Sequence, residues 1–213
     1  MVDVKFCGLT RPEDAAAAAE YGARWLGVIF AGGPRRLEPA RAREVLAAAP
    51  AGAGRVGVFG SAAPDEIARV MDAARLDVAQ LHADPSAEDV RAVREAGVGL
   101  VWAVVRVAGS ALPEHIGELF DAAHAVVLDA RAESGLGGTG RTLDWAGVRD
   151  SVARVRGAAP LVLAGGLTPE RVGEGIALLA PRIVDVSSGV ESAPGVKDHA
   201  RMRAFVAAVA AAR

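Results

Sequence analysis

What most constrains this chain is an alternation. Eight short, nearly continuous apolar runs stand at Val4–Cys7, Trp25–Phe30, Arg55–Phe59, Val78–His82, Leu100–Val105, Ala125–Asp129, Leu161–Ala164 and Ile183–Ser187. Runs this short and this apolar are expected to be strands buried on both faces. Between and after them lie eight segments of helical period: Pro12–Tyr21, Pro39–Ala49, Pro64–Ala74, Ala87–Ala96, Pro113–Ala122, Asp144–Val155, Pro169–Leu179 and Asp198–Ala212. Several open with proline or an acid in the first turn, as in Thr10-Arg11-Pro12-Glu13 and Thr168-Pro169-Glu170, the pattern of a helix start. Strand ends fall 22 to 29 residues apart, except for one interval of 36. Eight βα units with short loops favour a closed (β/α)8 barrel over the open doubly wound sheet, so a single barrel domain over residues 1–213 is expected. The long interval holds Ser134-Gly135-Leu136-Gly137-Gly138-Thr139-Gly140, more than a minimal connection needs, and loops of that kind usually carry function.

Charge and composition remove several functional classes. A formal net charge of −2 supplies no basic field along the chain, so nucleic acid is not an expected partner. Cys7 is the only cysteine, which excludes an intrachain disulfide and a Cys-based zinc site. His82, His115, His124 and His199 show no metal-ligand spacing, and no metal or cofactor is expected. The start MVDVKFCGLT has no basic region followed by a long apolar run, and no run reaches the roughly 18 apolar residues of a membrane span, so a cytoplasmic location without membrane contact is expected. A monomer is the expected state. Of the 24 basic residues only Lys5 and Lys197 are lysine, a bias that reads as the codon usage of a GC-rich genome.

In a (β/α)8 barrel, functional side chains gather where strands end and on the loops that follow. Those positions are Cys7, Arg35, His82, Arg106, Asp129, the Gly137–Gly140 loop, Gly165-Gly166 and Ser187-Ser188-Gly189. Gly165-Gly166 and Ser188-Gly189 follow the seventh and eighth strands, where exposed backbone N–H groups can cradle a phosphate; each pair read alone is equally a tight turn. Cys7 is either a small buried hydrophobe or a reactive thiol. An acid closing the apolar run Ala125-Val126-Val127-Leu128 is costly unless used, which singles out Asp129. Asp185 is similar, or else holds neighbouring backbone in place. His82 reads equally as a core histidine, and Arg106 as a solvated loop residue.

Taken in order, Lys5-Phe6-Cys7-Gly8-Leu9-Thr10, Gln80-Leu81-His82, Gly137-Gly138-Thr139-Gly140 with Leu143-Asp144-Trp145, Ala164-Gly165-Gly166-Leu167, Asp185-Val186-Ser187-Ser188-Gly189-Val190-Glu191 and Pro194-Gly195-Val196-Lys197-Asp198 resemble the motifs of the phosphoribosylanthranilate isomerase family. The resemblance implies an Amadori rearrangement in tryptophan biosynthesis, acting on a small-molecule phosphosugar without a cofactor. It implies Cys7 as the general base at sugar C2 and Asp129 as the general acid at the ring oxygen. It implies substrate contacts from Arg35, His82, Gly138, Gly165, Gly166, Asp185, Ser188 and Gly189, with Arg35 on the anthranilate carboxylate and the glycine loops on the phosphate. Departures from the family's pattern are Gly33 and Ala83, where serine and glycine are usual, and Ala164, where serine is frequent. They bear on substrate contacts and leave both proton-transfer positions intact. The alternatives are another phosphosugar aldose–ketose isomerase on the same barrel, whose first strand would carry aspartate in place of Cys7, and a phosphate-binding barrel without catalysis.

Overall fold

In the computed structural model, which describes residues 1–107, 109–130 and 144–212, eight parallel strands close in chain order, with the last paired to the first. The strands are β1 (Asp3–Phe6), β2 (Trp25–Ile29), β3 (Gly54–Phe59), β4 (Val78–Leu81), β5 (Leu100–Val107), β6 (Ala125–Ala130), β7 (Leu161–Leu163) and β8 (Ile183–Val186). The helices that follow them in turn are α1 (Pro12–Glu20), α2 (Pro39–Ala47), α3 (Pro64–Ala74), α4 (Ala87–Glu95), α5 (Ile116–Ala122), α6 (Trp145–Val155), α7 (Val172–Leu179) and α8 (His199–Ala211). The closed barrel, and not the open sheet, is the architecture.

Strand residues alternate between two apolar layers, as a period of two requires. Outward residues such as Phe6, Leu26, Val126, Leu161 and Val184 pack beneath the helices. Inward ones, among them Val56, Val78, Trp102, Val127 and Val162, fill the barrel, where Trp25 and Trp102 meet edge to face at 4.9 Å. The same parity places Lys5 and Asp185, cross-strand partners on β1 and β8, inside the barrel.

Helix starts follow local chemistry. Proline occupies the first turn of α1, α2 and α3, Ser86 and Asp89 form a reciprocal capping box on α4, and Asp198 caps α8 by accepting from the N–H groups of Ala200 and Arg201. Two helices begin later than the prolines suggest. Ile116 N–H closes a turn on Pro113 O, and Val172 N–H closes one on Thr168 O, so Pro113 and Pro169 sit in lead-in turns. Strand β5 runs two residues past its expected end, which puts Arg106 in the sheet opposite Asp129. A short antiparallel pair, β9 (Glu191–Ala193) and β10 (Val196–Lys197), precedes α8 and was not anticipated.

Candidate active site

The ring order of the strands arranges the mouth. Going round from β2, the chain presents Arg35, Cys7 after β1, Ser188-Gly189 after β8, Gly165-Gly166 after β7, Asp129 on β6, Arg106 on β5 and His82 after β4. Cys7 and Asp129 are thus separated on one side by β7 and β8, the strands that carry the two glycine loops. Gly138 lies outside the described residues.

Cys7 is held from β8, its N–H donating to Val186 O at 2.9 Å. Gly27 on β2 makes room for its side chain: a Cβ there would lie 3.1 Å from Cys7 Sγ and 3.2 Å from Lys5 Cε. Burial pushes the thiol up, Lys5 and Lys197 pull it down, and Asp185 adds to the burial; the net direction is upward, so the resting group is a thiol.

Asp129 stands beside Arg106 in register, with its Oδ2 3.8 Å from His82 Nε2. Burial, reinforced by the Arg106 cation, holds the His82 imidazole below its ordinary range, and it is neutral near pH 7. His82 Nδ1 is buried and has no hydrogen-bond partner among the described residues. Arg106 is no solvated loop residue: its Nε and Nη2 both donate to Asp84 Oδ2, at 3.0 and 2.5 Å, and its N–H to Oδ1 at 3.1 Å. Asp84 makes this clamp from a left-handed backbone, φ 50°, which aspartate tolerates better than most residues.

The loop after β7 turns through Gly165 and Gly166, at φ 82° and 67°, a conformation that favours glycine. After β8, residues Ser188–Val190 form a single 3₁₀ turn. A Cβ on Gly189 would fall 1.9 Å from Leu167 O, so this turn packs backbone to backbone on the loop after β7. Main-chain N–H groups of glycine-rich loops are a common receiver for an anion.

Two expected substrate contacts have partners within the protein. Asp185, only 6% exposed, is ion-paired to the fully buried Lys5 at 2.7 Å; it lies below the mouth because Ser187, two residues on, is the next inward position. Arg35 already holds a carboxylate, with Nε and Nη2 donating to Glu191 at 2.9 and 2.6 Å. Glu191 takes the Nε and Nη2 donors, not Nη1.

Glu191 and Lys197 were not singled out as site residues. The Pro194-Gly195 turn between two short extended pieces was the signal for the pair of strands that carries them, with Gly195 at φ 79°. Lys197 Nζ donates to Glu191 Oε1 at 2.8 Å, Cys7 O at 2.6 Å and Ser187 O at 3.1 Å. Behind them Asp14 on α1, fully buried, accepts from Arg11, Lys197 N–H and His199.

A closed (β/α)8 barrel with a thiol and a carboxyl group at its mouth, and glycine loops after the last two strands, has the frame of a (β/α)8-barrel enzyme. Within that class the chain belongs to the N-(5'-phosphoribosyl)anthranilate isomerase family, whose model matches residues 4–208. The N-(5'-phosphoribosyl)anthranilate isomerase of Rubrobacter xylanophilus is 47% identical over 98% of both chains. The crystal structure of phosphoribosyl anthranilate isomerase from Thermus thermophilus superposes with a TM-score of 0.86 at 38% identity, covering all of both chains. A second solved isomerase, in complex with reduced 1-(o-carboxyphenylamino)-1-deoxyribulose 5-phosphate, gives a TM-score of 0.82 at 33% identity, over 99% of this chain and all of that one.

Proposed function

We infer that this chain isomerises N-(5-phosphoribosyl)anthranilate to 1-(2-carboxyphenylamino)-1-deoxyribulose 5-phosphate, the Amadori step of tryptophan biosynthesis. The observation that carries the reading is the match of almost the whole chain to the family, with a thiol and a carboxyl group standing on either side of the two glycine loops. A reduced form of the same product is the ligand bound by the 33% identical relative.

In the proposed reaction Asp129 donates a proton to the furanose oxygen. The C1–O bond breaks as the anthranilate nitrogen's lone pair forms C1=N, giving a protonated Schiff base. That cation acidifies the proton on C2, and Cys7, whose thiol has first released its own proton to solvent, removes it as the thiolate; the C–H electron pair becomes C1=C2 and the C=N pair returns to nitrogen. Protonation at C1 and loss of the C2 hydroxyl proton turn the enolamine into the ketone. The proton gained by Cys7 offsets the one lost by Asp129, so the enzyme returns to its starting state through exchange with solvent. Each proton transfer by a placed side chain contributes about 10²–10⁴-fold.

The two anionic ends of the substrate have separate receivers in this reading. Main-chain N–H groups of Gly165, Gly166, Ser188 and Gly189 take the phosphate, and the Nη1 edge of Arg35 takes the anthranilate carboxylate. His82, neutral and next to Asp129, supplies a hydrogen bond to the sugar. Asp185 pairs with Lys5 through Oδ2, and its Oδ1, without a hydrogen-bond partner among the described residues, is left for a substrate contact. A monomer is supported by a described surface on which Met1 and Leu100 are the only exposed large hydrophobic residues, and a cytoplasmic location is part of the same proposal. The test is an assay with N-(5-phosphoribosyl)anthranilate that follows the loss of its anthranilate fluorescence. Turnover is expected; no turnover by folded protein would refute the assignment.

A further inference from the structure

The chain carries 24 basic residues, of which two are lysine, and both are buried beside its one cysteine. Lys5 is 0% and Lys197 3% exposed, the two most enclosed cations among the described residues. They reach Cys7 from different elements. Lys5 is two residues before it on β1 and shares with Sγ the space left by Gly27; Lys197, on β10, donates to Cys7 O at 2.6 Å. Elsewhere arginine serves for every positive charge. A guanidinium is planar and broad, whereas an ammonium is compact and can direct its three donors at separate acceptors. Lys197 does so, meeting Cys7 O, Ser187 O and Glu191 Oε1.

We propose that Lys5 and Lys197 are positioning residues that act through Cys7, two enclosed ammonium groups that together make its thiolate accessible to the reaction. The proposal rests on the reading of Cys7 as the base. Among the described residues, the charged groups around the thiol are Lys5 from β1, Asp185 from β8, Lys197 from β10, Glu191 from β9 and Arg35 from the loop after β2. That is three cations against two anions, so ionisation of Cys7 brings the group to neutrality. Each anion is also tied to a cation by a direct contact, Asp185 to Lys5 at 2.7 Å and Glu191 to Lys197 at 2.8 Å. Burial opposes the thiolate and the lysines counter it. Lys197 has a second effect: by joining Cys7 O to Ser187 O it fixes the end of β1 to the start of the turn after β8, so base and phosphate loop keep one spacing.

Because Cys7 is the only cysteine, its ionisation can be read directly from thiolate absorbance near 240 nm. Each protein is titrated against the same protein carrying Cys7→Ala, which cancels the signal of Tyr21. Lys5→Gln and Lys197→Gln remove the charge and keep a hydrogen-bonding side chain. Each is expected to raise the sulfur's midpoint by about one pH unit or more and to lower kcat at fixed pH about tenfold, with little change in KM. An unchanged midpoint in a folded variant overturns the proposal even if kcat falls, since the loss is then structural. A raised midpoint with unchanged kcat refutes Cys7 as the base, and with it the role of the lysines in the reaction; Cys7→Ala kinetics tests that base role separately. Should Lys5→Gln fail to give a native circular dichroism spectrum, because Asp185 is left unpaired, Lys197→Gln decides, for Arg35 still holds Glu191 there.

Discussion

Arg35 and Glu191 are locked in a two-point ion pair that spans 156 residues of sequence, Nε to Oε1 at 2.9 Å and Nη2 to Oε2 at 2.6 Å. The contact ties the loop after β2 to β9 through the Nε and Nη2 donors of the guanidinium. Arg35→Ala is expected to lower kcat/KM about 30- to 150-fold, the equivalent of about 2–3 kcal/mol for a charged hydrogen bond. Glu191→Gln keeps Arg35 and loosens its aim, so a smaller loss, carried mainly by KM, is expected. A substrate analogue without the carboxylate decides the matter: Arg35→Ala should cost almost nothing further with it, and fully multiplicative losses would remove Arg35 from that contact.

For Cys7, replacement by alanine should lower kcat by about a hundredfold or more while KM changes little. The rise in rate with pH that thiol ionisation produces should disappear in the same variant. Turnover near that of the wild type would return Cys7 to the barrel core as a packing residue.

Asp129→Asn should retain fold and substrate affinity and lose most turnover. A general acid must carry its proton, so activity that depends on it declines as pH rises. In the Asn variant the residual rate should therefore climb with pH and no longer fall on the alkaline side. His82→Asn, which leaves the acid in place, should show a smaller loss and keep both limbs. If the alkaline fall persists unchanged in Asp129→Asn, the proton donor is another group.

The phosphate cradle is tested better at Gly166 than at Gly189. Any side chain at Gly189 would drive its Cβ into Leu167 O, so a variant there damages the loop before it touches a ligand. Gly166, at φ 67°, accepts alanine at about 1–2 kcal/mol of backbone strain. Gly166→Ala should raise KM far more than it lowers kcat. Inorganic phosphate at about ten times its Kd should stabilise the wild type by about 1.4 kcal/mol in thermal unfolding, and the variant much less. Equal protection of both would place the anion elsewhere.

The barrel was legible in the sequence because its evidence is repeated eight times: a buried parallel strand needs a short, all-apolar run, and Ala125-Val126-Val127-Leu128 or Leu161-Val162-Leu163 can do little else. Cys7, Asp129 and the glycine loops were legible as strand-end positions. What escaped was pairing between distant polar groups. Nothing local to Arg35 announces Glu191, and nothing local to Asp185 announces Lys5 one strand away across the barrel seam. Arg106 was misread for the same reason, since its partner Asp84 lies on the neighbouring loop. The extra strands around Pro194-Gly195 were too short for a periodicity to register, although the turn dipeptide was there to be used.

The last prediction concerns the support behind the site. Asp14 is fully buried and collects Arg11 Nε and Nη2 at 2.8 and 2.7 Å, Lys197 N–H at 3.1 Å and His199 Nε2 at 2.8 Å. Burial alone would push its carboxyl up, but the hydrogen bonds from Arg11, His199 and the Lys197 backbone hold it below the usual carboxylate range. A carboxylate whose folded value lies below its unfolded one contributes stability that is complete above the unfolded value, about 3.9, and is lost as pH falls through the folded value. Asp14→Asn should therefore cost about 2–3 kcal/mol in urea unfolding at pH 7, and the gap from the wild type should narrow as pH is lowered below about 4. The other carboxylates titrate alike in both proteins and cancel in the comparison. A gap that stays constant down to pH 3 would assign the loss to packing and hydrogen-bond geometry, and would show that the charge on Asp14 contributes nothing.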